Sequence, residues 1–306
     1  MRRALSLIAI LATAASCGDN DLQAEIDDLT AQLATTEAEL AQTAQQRDTF
    51  KQERDALAGA LAALEAKVNP VISLEVPFVF GAEALELNKA YPVAGGDTLS
   101  FREVRYWLTG VALERPDHSF VDVPDGYYLV EARPEQPLTN GTESALMLPA
   151  TRREAISFTS IPSGTYVGIR FHIGVDPAHN DDLSRTAGEL HTLKNMTSDN
   201  GWMWFTSYIF TKTRADLAGP GGAAVVSWDN GSNDDLREVH LAFPSAIETA
   251  AAVAYKVRVK ADLETLADAV APRQRVVIGA GTPGDRSLLA DAFRDMFVLE
   301  SAAAVP

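Results

Sequence analysis

The side chains best suited to chemistry in this chain are a single cysteine, four tryptophans and five histidines, which are His118, His172, His179, His191 and His240. One cysteine can form neither an internal disulfide framework nor the cysteine-rich zinc site of a finger domain. Any bound metal ion must therefore be held by imidazole, carboxylate or thioether groups.

The sequence context divides the histidines into residues expected to be solvated and residues expected on strands. His118 and His179 lie in aspartate-rich segments, so we expect them to be solvated. His172 and His240 lie in segments that alternate in polarity as strands do, and alternation places His172 on the less apolar face of its strand, together with Tyr166 and Arg170. His172 and His240 are therefore the stronger ligand candidates.

A tryptophan pair, Trp202 and Trp204, follows His191, and ten residues separate His191 from Trp202. Strand alternation places both tryptophans on one face with Tyr208 and Phe210, which is typical of an aromatic core stripe. The loop that carries His191 could also fold over the pair.

An oxygen-rich segment runs from Asp229 to Asp235 with the sequence DNGSNDD. Carboxylate and amide oxygens suit Ca²⁺, although the segment lacks the spacing of an EF-hand. An exposed Asn-Gly turn explains the same composition equally well. The composition is compatible with both a calcium site and a turn.

The N-terminal segment has the pattern of an export signal. Arg2 and Arg3 precede an uncharged stretch, residues 4–15, which is shorter than the ~20 residues that span a bilayer. Small residues then lead into Cys17, as in a bacterial lipobox, although Ala14 stands where leucine is usual. We expect residues 1–16 to be a signal peptide and Cys17 to be lipidated. The lipid would hold the protein in the cell envelope at the outer membrane, on its periplasmic or surface face. The alternative is an ordinary signal peptide with an incidental cysteine.

Residues 17–69 form the lipidated N-terminus and a predicted helical stalk. Apolar residues recur with alternating spacings of four and three, and Asn69-Pro70 ends the pattern. The repeat predicts a coiled coil about 70 Å long that self-associates through residues 20–68; the alternative is an amphipathic helix folded onto the rest of the chain. The apolar positions are Leu22, Ile26, Leu29, Leu33, Leu40, Phe50, Leu57, Leu61, Leu64 and Val68.

Residues 70–306 are predicted to form a mainly β domain, an antiparallel β-sandwich. Short alternating runs are separated by Gly, Pro, Asn and Asp. Helices are expected at residues 262–270 and 287–296. The predicted strands are 73–80, 99–113, 127–131, 155–158, 166–173, 202–212, 225–228, 238–243 and 253–260.

Several functions are disfavoured by composition and motifs. The formal net charge of −16 and a pI near 4.7 argue against nucleic-acid binding, which needs clustered basic residues. A G-x-G-x-x-G run at Gly279, Gly281 and Gly284 matches a dinucleotide fingerprint locally, but the β-rich sequence before it lacks the repeating βαβ pattern. No nucleophile elbow or catalytic triad order is present, so we expect no enzymatic activity.

Several short motifs, in order, resemble the MbnP-like copper-binding family over roughly residues 72–300. Its W-x-W-x-x-[GS]-Y segment matches Trp202, Trp204, Ser207 and Tyr208, and its H-L-G motif matches His240-Leu241 with Ala242 in place of glycine. The other matching segments are RYWLTGVAL at 105–113, YLV at 128–130, GTY at 164–166 and IGVD at 173–176.

The resemblance implies an exported copper protein encoded beside a diheme cytochrome c peroxidase of the MauG-like type. Among the candidate copper ligands, His240 matches a family motif, whereas His172 is a candidate because it adjoins the matching IGVD segment and His191 because its loop precedes the tryptophan pair. The resemblance also implies oxidation of Trp202 or Trp204 to kynurenine by that peroxidase. The alternative is a non-catalytic envelope or surface protein that uses the stalked sandwich for protein or glycan contacts without a metal.

Overall fold

A computed structural model describes residues 20–137, 147–191, 196 and 207–305. The helices are α1 (Asn20–Val68), α2 (Pro177–Asn180), α3 (Leu263–Val270) and α4 (Pro283–Asp295). The strands are β1 (Val71–Glu75), β2 (Phe78–Phe80), β3 (Glu83–Ala84), β4 (Ala90–Val93), β5 (Asp97–Glu114), β6 (Phe120–Asp122), β7 (Tyr127–Arg133), β8 (Gln136–Pro137), β9 (Met147–Leu148), β10 (Thr151–Arg153), β11 (Ala155–Phe158), β12 (Gly164–Ile173), β13 (Thr211–Ala218), β14 (Ala224–Asn230), β15 (Arg237–Thr249), β16 (Ala254–Asp262), β17 (Val277–Ile278) and β18 (Phe297–Ala304).

Helix α1 is a continuous helix of 49 residues. Alanine, glutamate, glutamine and leucine dominate its sequence, and these are strong helix formers. It ends at Val68 because Asn69 precedes a proline, which disfavours helical backbone at the preceding residue. Apolar side chains of the heptad positions are exposed, for example Leu40 at 70% and Phe50 at 67%.

The β-rich body contains two large sheets. The six-stranded sheet has the order β11-β1-β16-β2-β3, with β18 also paired to β16. The ten-stranded sheet has the order β10-β7-β5-β13-β14-β17, and β12 pairs with both β5 and β15. The mainly β fold preceded by a long helix is confirmed. Most strand pairs are antiparallel, but β16 pairs in parallel with β1 and β2, and β17 with β14, so both sheets are mixed.

The main core joins apolar side chains of both sheets. Tyr106 of the ten-stranded sheet lies edge-on to Phe78 and Phe297 of the six-stranded sheet, with ring centroids 5.8 and 5.7 Å apart. The opposite face of the ten-stranded sheet, here called the second face, carries a smaller buried cluster around Trp107 and Tyr208. Polar residues that face away from the main core therefore share the second face with this cluster.

Two strand predictions needed correction. Tyr166 was expected beside His172, but it is fully buried in the main core because a bulge between Tyr166 and Gly168 shifts the alternation of β12. His172 lies beyond the bulge and keeps its predicted face. Among the described residues of predicted strand 202–212, only Thr211 and Lys212 belong to a strand.

The glycine-rich segment does not build a dinucleotide-binding unit. Strand β17 before it belongs to the ten-stranded sheet, whereas β18 after it pairs antiparallel with β16 in the six-stranded sheet. A dinucleotide fold needs these two strands to be parallel members of one sheet. Within the described part of the chain, no helix is long and apolar enough to cross a membrane.

Candidate functional site

A row of polar side chains crosses the second face on four adjacent strands. Tyr127 of β7 pairs with Thr109 of β5, Thr109 pairs with His172 of β12, and His172 pairs with Glu238 of β15. Paired residues of neighbouring strands point to the same face of a sheet. His172 is therefore held in the middle of a polar row by rigid strands on both sides.

The next row brings His240 close to His172. Arg170 of β12 pairs with His240 of β15, two residues along each strand from the pair of His172 and Glu238. His172 and His240 are thus diagonal neighbours on one face, a relationship that separates Cα atoms by about 7–8 Å. The two strand histidines identified from the sequence are brought together.

A third row supplies a carboxylate for His240. Glu114 of β5 lies opposite Gly168 of β12, which lies opposite Ala242 of β15. Glu114 extends across Gly168, and its Oε2 lies 2.7 Å from Nε2 of His240. A Cβ atom at residue 168 would lie only 2.8 Å from that oxygen, so glycine is needed for this contact.

The other carboxylate oxygen of Glu114 lies 2.6 Å from Nδ1 of His118. Hydrogen bonds from His118 and then His240 lower the pKa of Glu114, which keeps the carboxylate ionised. An ionised carboxylate only accepts hydrogen bonds, so the imidazoles must donate. Nε2 of His240 therefore carries a proton, and in the neutral ring Nδ1 carries the lone pair.

Aromatic and cationic side chains surround His240. The Phe120 ring lies edge-on to the imidazole with centroids 5.7 Å apart, and the Arg170 guanidinium lies 4.1 Å from the centre of the Phe120 ring. Arg170 also contacts Asp122 at 3.1 Å. These contacts fix the ring of a histidine whose side chain is 43% exposed.

His172 is more enclosed than His240. Burial lowers its pKa, and this effect outweighs the opposing influence of Glu238, whose carboxylate lies 3.6 Å away. Gly110 adopts a left-handed conformation with φ of 57°, and a Cβ there would lie 2.8 Å from Nδ1 of His172. The environment favours a neutral imidazole, which is the form that binds metals.

A second polar cluster, formed by Tyr127, Asp176 and His179, extends the row that contains His172. The Tyr127 hydroxyl donates to Asp176 at 2.5 Å and lies 3.1 Å from Nδ1 of His179, and the same nitrogen lies 3.0 Å from Asp176. Burial raises the pKa of Asp176, but hydrogen bonds from Tyr127 and His179 outweigh burial and lower it. Asp176 also acts electrostatically on His172, so the cluster adjoins the candidate site.

The expectation that His179 is solvated was wrong, because its side chain is only 23% exposed. Asp176 caps helix α2 by accepting from the backbone of Ala178, and Pro177 occupies the first helical position. This short turn carries His179 back over Asp176. An aspartate followed by proline is a helix-start pattern that could have identified the turn from the sequence.

Three of the site residues predicted from the sequence lie outside the described residues, namely Cys17, Trp202 and Trp204. His191 is exposed at the end of a described segment, next to Leu190, which is buried in the cluster around Trp107. Among the described residues, the indole nitrogen of Trp107 and the hydroxyl of Tyr208 are buried without a hydrogen-bond partner.

The donor set fits copper at low coordination number. Cu(I) and Cu(II) both accept imidazole nitrogen, and Cu(I) needs few ligands. His172 and His240 supply two imidazoles on one face. Across the described ranges, no group of three or more His, Cys, Asp or Glu side chains is arranged to hold a metal ion, so His191 is not assembled with them into a three-histidine site.

The oxygen-rich segment has other uses for its carboxylates. Asp229 receives two hydrogen bonds from Arg214, at 2.6 and 2.7 Å. Asp235 accepts from the backbone of Ser232 at 3.0 Å and from Arg286 at 3.2 Å. Asn230, expected in an exposed turn, is buried. The segment is the end of β14 followed by a short turn, both stabilised by arginines, and this geometry does not favour calcium.

A family model agrees with the resemblance read from the sequence. The family model of MbnP matches residues 69–278. Among solved structures, MbnP from Methylosinus trichosporium is similar, with 14% identity and a TM-score of 0.43, covering 65% of this chain and 77% of that chain. No curated protein matches the chain.

Proposed function

Because the chain belongs to the MbnP family, we propose that it is an extracytoplasmic protein that binds copper on the second face of its ten-stranded sheet. The observation that carries the proposal is the strand register that places His172 and His240 as diagonal neighbours on one face. In this proposal the protein binds the metal and is not an enzyme.

The proposed roles of the surrounding residues follow from their contacts. His172 and His240 hold the metal, and copper supplies a one-electron redox couple when bound. Glu114 fixes the tautomer and orientation of His240, as carboxylates behind metal-binding histidines commonly do. Partial burial keeps His172 neutral, and Gly110 leaves room for its ring.

Matched substitutions test the copper site. His172→Gln and His240→Gln should each weaken copper binding by at least about tenfold, since even partners behind the ligands contribute 10–100-fold. His118→Gln is the control, because it removes an imidazole that also contacts Glu114 but whose side chain is 83% exposed. Copper titration of the purified proteins measures the effect. Equal affinity in all three variants would refute this site.

The peroxidase partner and the tryptophan modification are further parts of the proposal, supported by family membership. A diheme peroxidase would use two molecules of hydrogen peroxide to add two oxygen atoms across the indole of Trp202 or Trp204, opening the ring and releasing two molecules of water. Hydrolysis would then release one carbon as formate, leaving kynurenine. The net change is loss of one carbon and gain of one oxygen.

Metal analysis combined with intact-mass spectrometry, on protein purified from its own host, measures bound copper and tryptophan modification in one sample. Co-expression with the neighbouring diheme enzyme should give the kynurenine mass, and Trp→Phe at the modified position should abolish it with little change in melting temperature. An unmodified wild-type protein under these conditions would refute the modification while leaving histidine-bound copper to be tested separately.

Export and lipid anchoring at Cys17 complete the proposed localisation. The basic start, the apolar stretch and the cysteine of residues 2–17 support it. Cys17→Ser should move the protein from the membrane fraction to the soluble extracytoplasmic fraction. Retention of the variant in the membrane fraction would contradict an acyl anchor at this residue.

A further inference from the structure

We propose that helix α1 pairs with α1 of a second copy of the chain in antiparallel orientation, with the two-fold axis passing at residue 45. The proposal concerns the heptad seam, defined as the a and d positions from residue 26 to residue 64. This inference does not depend on copper binding. The seam consists of Ile26, Leu29, Leu33, Thr36, Leu40, Thr43, Arg47, Phe50, Arg54, Leu57, Leu61 and Leu64.

The seam is apolar surface that a single chain leaves exposed. Its leucines, isoleucine and phenylalanine range from 37% exposure at Ile26 to 72% at Leu57. A strict heptad of apolar residues is the pattern by which one helix supercoils around another. A second copy supplies a helix with the same repeat and the same length.

The order of polar and apolar residues along the seam is a palindrome. Reading inward from both ends, each residue meets one of its own class: Ile26 with Leu64, Leu29 with Leu61, Leu33 with Leu57, Thr36 with Arg54, Leu40 with Phe50, and Thr43 with Arg47. In an antiparallel pair, a positions of one helix face d positions of the other. Every apolar side chain of the seam then meets an apolar partner.

The arginines distinguish the antiparallel pair from a parallel one. In a parallel pair in register, Arg47 faces Arg47 and Arg54 faces Arg54, which places like charges together in the seam. In the antiparallel pair, Arg47 faces Thr43 and Arg54 faces Thr36. The hydroxyls of Thr36 and Thr43 donate hydrogen bonds to backbone carbonyls of their own helix. These small side chains therefore leave space for the aliphatic part of the arginine side chains.

Charges beside the seam are also complementary in the antiparallel pair. At the seam and its flanking e and g positions, residues 30–43 carry a net charge of −2 from Glu37 and Glu39. Residues 46–60 carry a net charge of +2 there, from Arg47, Lys51 and Arg54 less Glu53. Antiparallel pairing places the acidic half against the basic half, whereas parallel pairing places like halves together.

Antiparallel pairing of α1 separates the two proposed lipid anchors at Cys17. A helix of this length extends about 70 Å, so the two N-termini lie at opposite ends of the rod. One membrane surface can hold both N-termini only if the rod lies along that surface.

Cysteine cross-linking tests orientation directly. The full chain carrying Cys17→Ser is combined with Leu40→Cys or with Phe50→Cys, and the two variants are oxidised alone and as an equimolar mixture. The antiparallel pair predicts a disulfide between residues 40 and 50 as the dominant product of the mixture. Disulfides joining residue 40 to 40, or 50 to 50, as the dominant products would overturn the orientation.

Charge reversal tests the same arrangement without cysteines. In the Cys17→Ser chain, Arg47→Glu with Arg54→Glu should abolish dimers in sedimentation. Adding Glu37→Lys and Glu39→Lys should restore dimers, because the complementary halves are exchanged. Gln42→Glu, Gln45→Glu, Thr49→Glu and Gln52→Glu together are the control, because they make the same change of −4 at exposed outward positions and should leave dimers intact. A parent chain that sediments as a monomer at micromolar concentration would overturn the proposal.

Discussion

Glu114 and His240 are joined at 2.7 Å across a strand that lies between them. They belong to β5 and β15, and β12 separates these strands in the sheet. The contact exists because Gly168 of β12 has no side chain to occupy the intervening space. A buried carboxylate on the second face thus orients a histidine two strands away.

Gly168→Ala should break this contact. The new methyl group would meet Glu114 Oε2 at 2.8 Å and the Leu241 carbonyl at 3.0 Å, which should cost about 1–3 kcal/mol of unfolding free energy. Loss of the carboxylate behind His240 should weaken copper binding about 10–100-fold. Gly281→Ala is the control, because nothing lies within 4 Å of a Cβ there. Calorimetric copper titration and thermal unfolding give the two results, and unchanged affinity in Gly168→Ala would show that Glu114 does not support the site.

Gly110→Ala should disturb His172 through a different path. The left-handed backbone costs a non-glycine residue about 1–2 kcal/mol, and the methyl group would lie 2.8 Å from the imidazole. Gly95→Ala is matched to it, since Gly95 has φ of 83° and open space around its Cβ position. Both variants should lose similar backbone stability, but only Gly110→Ala should shift the imidazole resonances of His172 and weaken copper binding. Equal resonances in the two variants would argue against the close contact.

Alternation of side chains along a strand predicts which face a residue occupies wherever the strand is regular. Alternation placed His172 correctly because a regular stretch of β12 separates it from the bulge. The same rule failed for Tyr166, on the other side of that bulge. Bulges depend on how a strand fits its neighbours, which no pattern within residues 166–173 reveals.

The environment of the candidate site depends on contacts between distant residues. Glu114 and His240 are 126 positions apart in sequence, and no spacing rule connects them. The pairing of β5 with β12 and of β12 with β15 creates the contact. Sequence motifs identified the histidines on the strands, whereas only the sheet order identified the carboxylate that orients one of them.

A buried ionic cluster on the second face should contribute strongly to stability. Glu131 accepts from Arg105 at 2.9 Å and from Arg133 at 3.1 Å, and all three side chains are buried. Glu131→Gln removes the carboxylate charge that the two arginines share, although Glu103 remains 3.4 Å from Arg105, and breaking a buried pair costs about 3–5 kcal/mol. Glu83→Gln is the control, because Glu83 forms an exposed pair with Lys89 that should contribute about 0–1 kcal/mol. Urea unfolding of both variants measures the difference, and equal losses would refute the role of burial.

Acid stability should depend on Asp97 and Arg273. Arg273 donates to both carboxylate oxygens of Asp97, at 2.7 and 2.8 Å, and this hydrogen bonding lowers the pKa of Asp97. A carboxyl group whose pKa is lowered by folding stabilises the folded state above its unfolded pKa of about 3.9. That stabilisation is lost as the pH falls through the lower pKa of the folded state.

The melting temperature of the wild type should therefore fall more steeply below about pH 4 than that of Asp97→Asn, which has no charge to lose. Asp216→Asn serves as the control, because Asp216 is half exposed and lies 3.5 Å from Arg102. Parallel melting curves for the wild type and Asp97→Asn between neutral and acidic pH would show that this ion pair does not link folding to protonation.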